Sequence, residues 1–218
     1  HIYTQYVKFY DDQIARFVLS NISMCIASSL AASVEKYQAE MNFEDLECED
    51  VYLDDDEKTQ TSYKIADDTE FQKIIHSVSK ERLRNEDSKL KQFLEVCKTD
   101  KKLIVFAFFK KSLRYLEDRL KEAGIHCVRI DGDVKTNPDD PANDERLKRI
   151  LQFRDDPECK VLLSSQIGSE GLDFQFCDTI VNWDLPWNPM IVEQRIGRID
   201  RLGQKSEKIH IINLISRN

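Results

Sequence analysis

The stretch Glu193-Gln194-Arg195-Ile196-Gly197-Arg198-Ile199-Asp200-Arg201-Leu202-Gly203-Gln204 sets two arginines and a glutamine on one side of a predicted helix. At roughly 100° per residue, Arg198 lies about 40° from Gln194 and Arg201 about 20° on its other side, while Val192, Ile196 and Ile199 gather opposite. One face packs and the other presents cations. A guanidinium is always charged, and its planar fork of donors suits phosphate oxygens. A pair of them held in place meets the charge that develops on a transferring phosphoryl group. The competing reading is an exposed basic helix making surface ion pairs, and the sequence upstream decides between them.

Upstream stand Val161-Leu162-Leu163-Ser164-Ser165-Gln166-Ile167-Gly168-Ser169-Glu170-Gly171-Leu172-Asp173-Phe174 and Asn182-Trp183-Asp184-Leu185-Pro186-Trp187-Asn188-Pro189. Further back come Asp87-Ser88-Lys89-Leu90, Lys102-Leu103-Ile104-Val105-Phe106-Ala107-Phe108-Phe109 and Arg129-Ile130-Asp131-Gly132-Asp133, with Arg146 and Phe153 between them and the next strand. In order and spacing the 161–174, 182–189 and 193–204 blocks resemble motif V, the following strand and motif VI of superfamily 2 helicases and translocases, of the Swi/Snf type and its RapA-like group, and the blocks further back extend the resemblance. Gly197-Arg198 follows the wider helicase form, where many Swi/Snf proteins have Asp-Arg. The likeness covers roughly residues 87–215.

That resemblance implies an α/β fold, a RecA-like parallel sheet flanked by helices, here preceded by a mainly helical N-terminal segment. It implies a second motor lobe over residues 87–218; residues 1–86 carry no matching motif and are read from their apolar spacing as a helical brace. Arg198 and Arg201 would reach the γ-phosphate of ATP, Arg201 as arginine finger, with Gln194 facing the same way. Gly171 would bring backbone close to the nucleotide and Asp173 would place a carboxylate near the ribose; their plainer alternatives are a turn glycine and a capping aspartate. Ser164, Ser165 and Gln166 would touch the nucleic-acid backbone without reading bases. Lys110 and Lys111 would add attraction to phosphates, against the alternative of a solvated helix start. Trp187 would stack on a base or pack and cap the last helix, and the second reading is preferred.

No Gly-x-x-x-x-Gly-Lys-[Ser/Thr] loop and no acidic Asp-Glu-x-x box occurs in the sequence, so the phosphate cradle and the Mg2+ ligands are expected on a first lobe. The chain begins at His1 and reads as a segment of a longer polypeptide. Alone it is expected to hydrolyse no ATP. The partners implied are nucleic acid, with DNA favoured over RNA, a first RecA-like lobe, and RNA polymerase or a defence complex. The setting is cytoplasmic, nucleoid-associated in a bacterium. The alternative of another class is a lobe that survives as a protein- or nucleic-acid-docking module.

Composition agrees with a soluble globular motor piece: of 218 residues, 41% are hydrophobic and 33% charged. No apolar run approaches the ~18 residues of a membrane span. The net charge of −8 is unevenly placed. Residues 1–100 hold 12 Lys+Arg against 21 Asp+Glu, whereas residues 101–218 hold 20 against 19. The acidity centres on Glu40–Glu57, a run read as a solvated connector. Its Asp54-Asp55-Asp56 lacks the spacing and turn glycine of a calcium loop. The six cysteines stand far apart, without metal-finger spacing, so no metal site is expected, and His126-Cys127 reads as strand packing.

Apolar spacing predicts helices within Thr4–Lys36 and a long, interrupted amphipathic helix from about Phe71 to Cys97. Strands are predicted at Leu103–Phe108, Ile125–Ile130, Lys160–Ser164, Thr179–Trp183 and Ile209–Leu214. Between them fall helices at Lys110–Ala123, Asn143–Arg154 and Pro189–Leu202, with Gly124 closing the first. Strand-helix alternation with continuous apolar strands implies a parallel sheet, whose ligands collect beyond the carboxyl ends.

Overall fold

A computed structural model describes residues 23–39, 73–74, 76–137, 140–169, 171–186 and 188–215. These fall into two compact units that divide between Asp87 and Ser88.

In the first unit, helical residues 23–28 precede α1 (Leu30–Ala39), which buries Ala31, Ala32 and Val34. Ser33 Oγ donates to the carbonyls of Cys25 and Ser29, both at 2.8 Å, and so closes the break between these helical pieces. Helix α2 (Lys80–Glu86) starts where Ser79 accepts the Arg82 N–H at 3.2 Å. Arg84 Nε donates to Glu35 Oε1 at 2.7 Å and ties α2 to α1. Most of the predicted 4–36 helical region and all of the acidic run lie outside the described residues.

The predicted helix is interrupted at Val78–Ser79 and again at Asp87, which is extended with ψ 95°, and α3 (Ser88–Val96) follows. The second unit continues with β1 (Leu103–Phe106), α4 (Lys110–Glu122), β2 (His126–Ile130), α5 (Glu145–Asp155), β3 (Cys159–Ser164), β4 (Thr179–Asn182), α6 (Pro189–Ile196) and β5 (His210–Asn213). All pairings are parallel, in the order β2-β3-β1-β4-β5. The central strands β1 and β4 are buried at every position, as expected where helices cover both faces. Ile104, Phe106, Ile130, Leu162, Phe174 and Ile180 form the centre of one core cluster, each large side chain contributing ~1.5–3 kcal/mol on burial.

Local chemistry sets the element ends. At the end of α4, Gly124 has φ +72°, its N–H reaches Lys121 O at 3.0 Å, and the Ile125 N–H reaches Leu120 O at 2.8 Å. This is the two-bond Schellman closure that glycine allows. Asp144 caps α5 by accepting the Leu147 N–H at 2.8 Å. Asn188 caps α6 by accepting the Met190 N–H at 3.0 Å, with Pro189 at the first turn.

Strand β1 and helix α6 stop furthest short of their predicted carboxyl ends. Strand β1 ends at Phe106 rather than Phe108, because the Phe108 N–H goes to the Asp184 carboxylate at 3.0 Å instead of a neighbouring strand. Helix α6 ends at Ile196 rather than Leu202. Gly197 weakens the helix there, and the Arg198 carbonyl is taken by the Phe174 N–H at 2.8 Å. The chain continues in tighter bonds, Arg198 N–H to Arg195 O at 3.1 Å and Ile199 N–H to Ile196 O at 2.9 Å.

Candidate functional site

The carboxyl ends of β1, β3 and β4 lie side by side, with Phe106 opposite both Ser164 and Asn182. The loop leaving β3 turns back tightly over this edge. Ser164 and Ser165 are both fully buried. Ser164 Oγ donates to Ser165 O at 2.8 Å, and Ser165 Oγ accepts the Gly168 N–H at 3.0 Å. The two hydroxyls, expected at the nucleic-acid backbone, here close the loop internally. Of the predicted trio only Gln166 is partly exposed.

Gly168 explains how the loop comes so close. A Cβ there would overlap the Ile130 carbonyl oxygen and lie 2.8 Å from its carbon and 3.0 Å from Asp131 Cα. The sequence contains this glycine within the motif, but only the backbone of β2 shows what it is for.

Helix α6 presents its residues in two directions. Gln194 is exposed, whereas Arg195 is 1% exposed. The Arg195 guanidinium donates to Gln166 Oε1 at 3.2 Å through Nε, and through Nη1 to Asn182 Oδ1 at 2.8 Å and Asp184 O at 3.0 Å. Its plane stands 4.8 Å from the Phe106 ring centre and 5.4 Å from that of Phe108. Gln166 Nε2 lies 3.5 Å from Gln194 Oε1, a long contact joining the β3 loop to the exposed face of α6.

Arg198 and Arg201 sit beyond the helix, in the turns that follow, so the helical-wheel placement is replaced by a turn geometry. Arg198 is partly exposed, and among the described residues its guanidinium has no hydrogen-bond or ion-pair partner. Arg201 Nε donates to Gly197 O at 3.0 Å, while Nη1 lies 3.8 Å from Asp173 Oδ2. Gly171 has φ +73° and open space around it, as a turn glycine requires. Asp173 accepts the Gln175 N–H at 3.2 Å, capping the turn rather than a helix. Arg201 and Asp173, drawn from separate motifs, thus meet at the surface.

Lys110 opens α4, and its Nζ pairs with Asp133 at 2.8 Å; Arg114 pairs with the same carboxylate at 3.1 Å. The hydrogen bond from Lys110 holds the Asp133 carboxyl below its usual range. Lys111 is partly exposed on the same turn. Trp187 lies outside the described residues.

Three features escape a reading of the sequence for exposed chemistry. Arg195 stands four residues after Ile191 and four before Ile199, a position on the packed stripe that marks it as internal. Lys89 places its ammonium 3.5 Å from Asp184 Oδ1 and 4.4 Å above the Trp183 ring, both side chains nearly buried. Gly168 is the third.

Residues 86–203 match the family model described as the helicase conserved C-terminal domain. The chain is 37% identical over 134 residues to YqhH, an uncharacterized ATP-dependent helicase of Bacillus subtilis (strain 168), covering 61% of this chain and 22% of that protein. It is 37% identical over 125 residues to the RNA polymerase-associated protein RapA of Vibrio cholerae serotype O1 (strain M66-2), covering 56% of this chain and 12% of RapA. The chain thus spans about a fifth or less of the length of these curated relatives. Among solved structures, the C-terminal part of the Fun30 ATPase domain superposes with a TM-score of 0.54 at 23% identity, over 61% of this chain and 42% of that one, a likeness of fold.

Proposed function

This chain belongs to the helicase conserved C-terminal domain family of superfamily 2, and we propose that it acts as the second motor lobe of an ATP-driven nucleic-acid translocase. The observation that carries the reading is the surface pair of arginines beyond α6. The Arg198 guanidinium has no partner among the described residues, and Arg201, whose Nε donates to the Gly197 carbonyl at 3.0 Å, has a long contact to an exposed carboxylate as its one ion pair there. Two guanidiniums held on a short turn form a donor set suited to a polyphosphate.

ATP, when bound, supplies the phosphoryl group. Arg201 takes the arginine-finger role, worth ~10³ or more in rate, and Arg198 holds the γ-phosphate beside it. Asp173 would serve the ribose and would give up its long contact with Arg201 to do so. Gln194 orients the exposed face of α6. The phosphate cradle and magnesium ligands belong to a first lobe, in keeping with their absence from this sequence. Closure of two lobes around these arginines and reopening after hydrolysis would step the protein along a strand.

Gripping is assigned to Gln166 and the β3 loop, with Lys110 and Lys111 adding attraction that ignores sequence. Double-stranded DNA is the favoured substrate, consistent with a cytoplasmic, nucleoid-associated setting. RapA's association with RNA polymerase points to transcription complexes as one class of partner. Retention of both motifs with both arginines favours the motor over a docking module.

ATP turnover by the intact polypeptide, measured with double-stranded DNA, single-stranded DNA and RNA, tests the assignment. Stimulation should be greatest with double-stranded DNA; equal or greater stimulation by RNA would contradict the substrate, and no turnover with any of them would contradict the motor.

A further inference from the structure

We propose that Arg195 is a positioning residue that couples the loop after β3 to the turn carrying Arg198 and Arg201; the inference rests on the reading of the chain as a motor lobe. A guanidinium that is 1% exposed carries a desolvation cost of several kcal/mol, which an apolar side chain of similar shape would avoid. What an apolar side chain lacks is directed contact with several segments at once. Arg195 bonds the β3 loop through Gln166 and the end of β4 through Asn182 and the Asp184 carbonyl, while its guanidinium stands within 5.4 Å of the ring centres of Phe106 and Phe108, at and just beyond the end of β1.

Gln166 is the outward end of this network. Its amide lies between the buried guanidinium and Gln194 on the exposed side of α6. At the other end, the Arg195 carbonyl accepts the Arg198 N–H at 3.1 Å, and Gly197 immediately ends the helix. Residue 195 therefore holds Gln166 through its side chain and, through its own backbone carbonyl, the root of the turn from which Arg198 and Arg201 project. A ligand that shifts the β3 loop pulls on the Arg195 Nε bond and so on that root. Arg195 touches no substrate; it acts through its neighbours, and it links occupancy of the nucleic-acid loop to the aim of the arginines.

The test is the ratio of turnover stimulated by double-stranded DNA to unstimulated ATP turnover in the intact polypeptide, for Arg195→Lys, Gln166→Ala and the double variant, with Arg201→Ala as control. A merely structural defect lowers both rates alike and leaves the ratio unchanged. Coupling predicts that each single variant lowers the ratio about tenfold, the scale of such coupling energies. The double variant should fall no further than the worse single one. Amide hydrogen exchange across residues 197–201, measured without nucleotide, should quicken in each variant. An unchanged ratio in Arg195→Lys at saturating double-stranded DNA, or strictly additive losses, overturns the inference, and Asn182→Ala, which removes an Nη1 acceptor of Arg195 without touching the gripping loop, decides in the same way if Arg195→Lys does not fold. Full turnover in the Arg201→Ala control would instead sink the motor reading on which the inference rests.

Discussion

Asp173 Oδ2 lies 3.8 Å from Arg201 Nη1, and both side chains are close to half exposed. A pair this long and this well solvated is worth at most about 1 kcal/mol. Arg201 can therefore exchange the carboxylate for a phosphate oxygen at little cost, which distinguishes it from the buried Arg195 six residues earlier.

The two loop glycines should respond differently to alanine. Gly168→Ala places a methyl against the Ile130 backbone, 2.8 Å from its carbonyl carbon, and should lower unfolding free energy by about 1–3 kcal/mol. Gly171→Ala meets no atom within 4 Å but keeps φ +73°, so about 1 kcal/mol of backbone strain is expected. Urea unfolding of both variants checks the order; a Gly171 effect exceeding that of Gly168 would contradict it.

Lys89→Met should leave the Asp184 carboxylate nearly buried beside Trp183 without its ammonium, at a cost of about 3 kcal/mol. Adding Asp184→Asn removes the stranded charge while keeping an oxygen that accepts the Phe108 N–H. Partial recovery in the double variant, seen in thermal or urea unfolding, is the expected signature; fully additive losses would show that the pair is not coupled.

Burial pushes the thiols of Cys97 and Cys127 up to about 12 and that of Cys177 to about 11, from an ordinary 9.0. The folded state thus favours the protonated thiol, so this contribution to stability is complete below pH 9 and lost as pH climbs toward 12. Unfolding free energy should fall through that alkaline window, and iodoacetamide at pH 8 should label the native chain far more slowly than the unfolded one. Fast native labelling of Cys97 or Cys127 would contradict the assignment.

The 218-residue chain by itself is expected to turn over no ATP, since it lacks a phosphate loop and an acidic box. Steady hydrolysis by the purified chain, removed by Arg201→Ala, would refute this.

The sheet could be read from the sequence because Leu103–Phe106 and Thr179–Asn182 are unbroken apolar runs between amphipathic helices, and each observed strand lies within two residues of its predicted bounds. Gly124 announced its helix end for the same local reason. What pattern could not supply was where side chains intercept the backbone. Asp184 ends β1 early from far along the chain, and Phe174 draws the Arg198 carbonyl out of α6. Ser164 and Ser165 look like surface polar residues at a strand end, yet the loop folded by Gly168 seals them inside. Arg195 carries a charge on an apolar stripe, a signal outweighed in a reading that looked for outward cations.

The central claim is that Arg198 and Arg201 act on the phosphates of ATP and not on the nucleic acid. Its most direct test is DNA-stimulated ATP hydrolysis by the intact polypeptide bearing Arg198→Ala or Arg201→Ala, with DNA affinity measured alongside. The account predicts hydrolysis reduced by ~10³ for Arg201→Ala, a severe loss for Arg198→Ala, and DNA binding largely intact in both; hydrolysis at the unmodified rate, or DNA binding lost in step with it, would contradict the account.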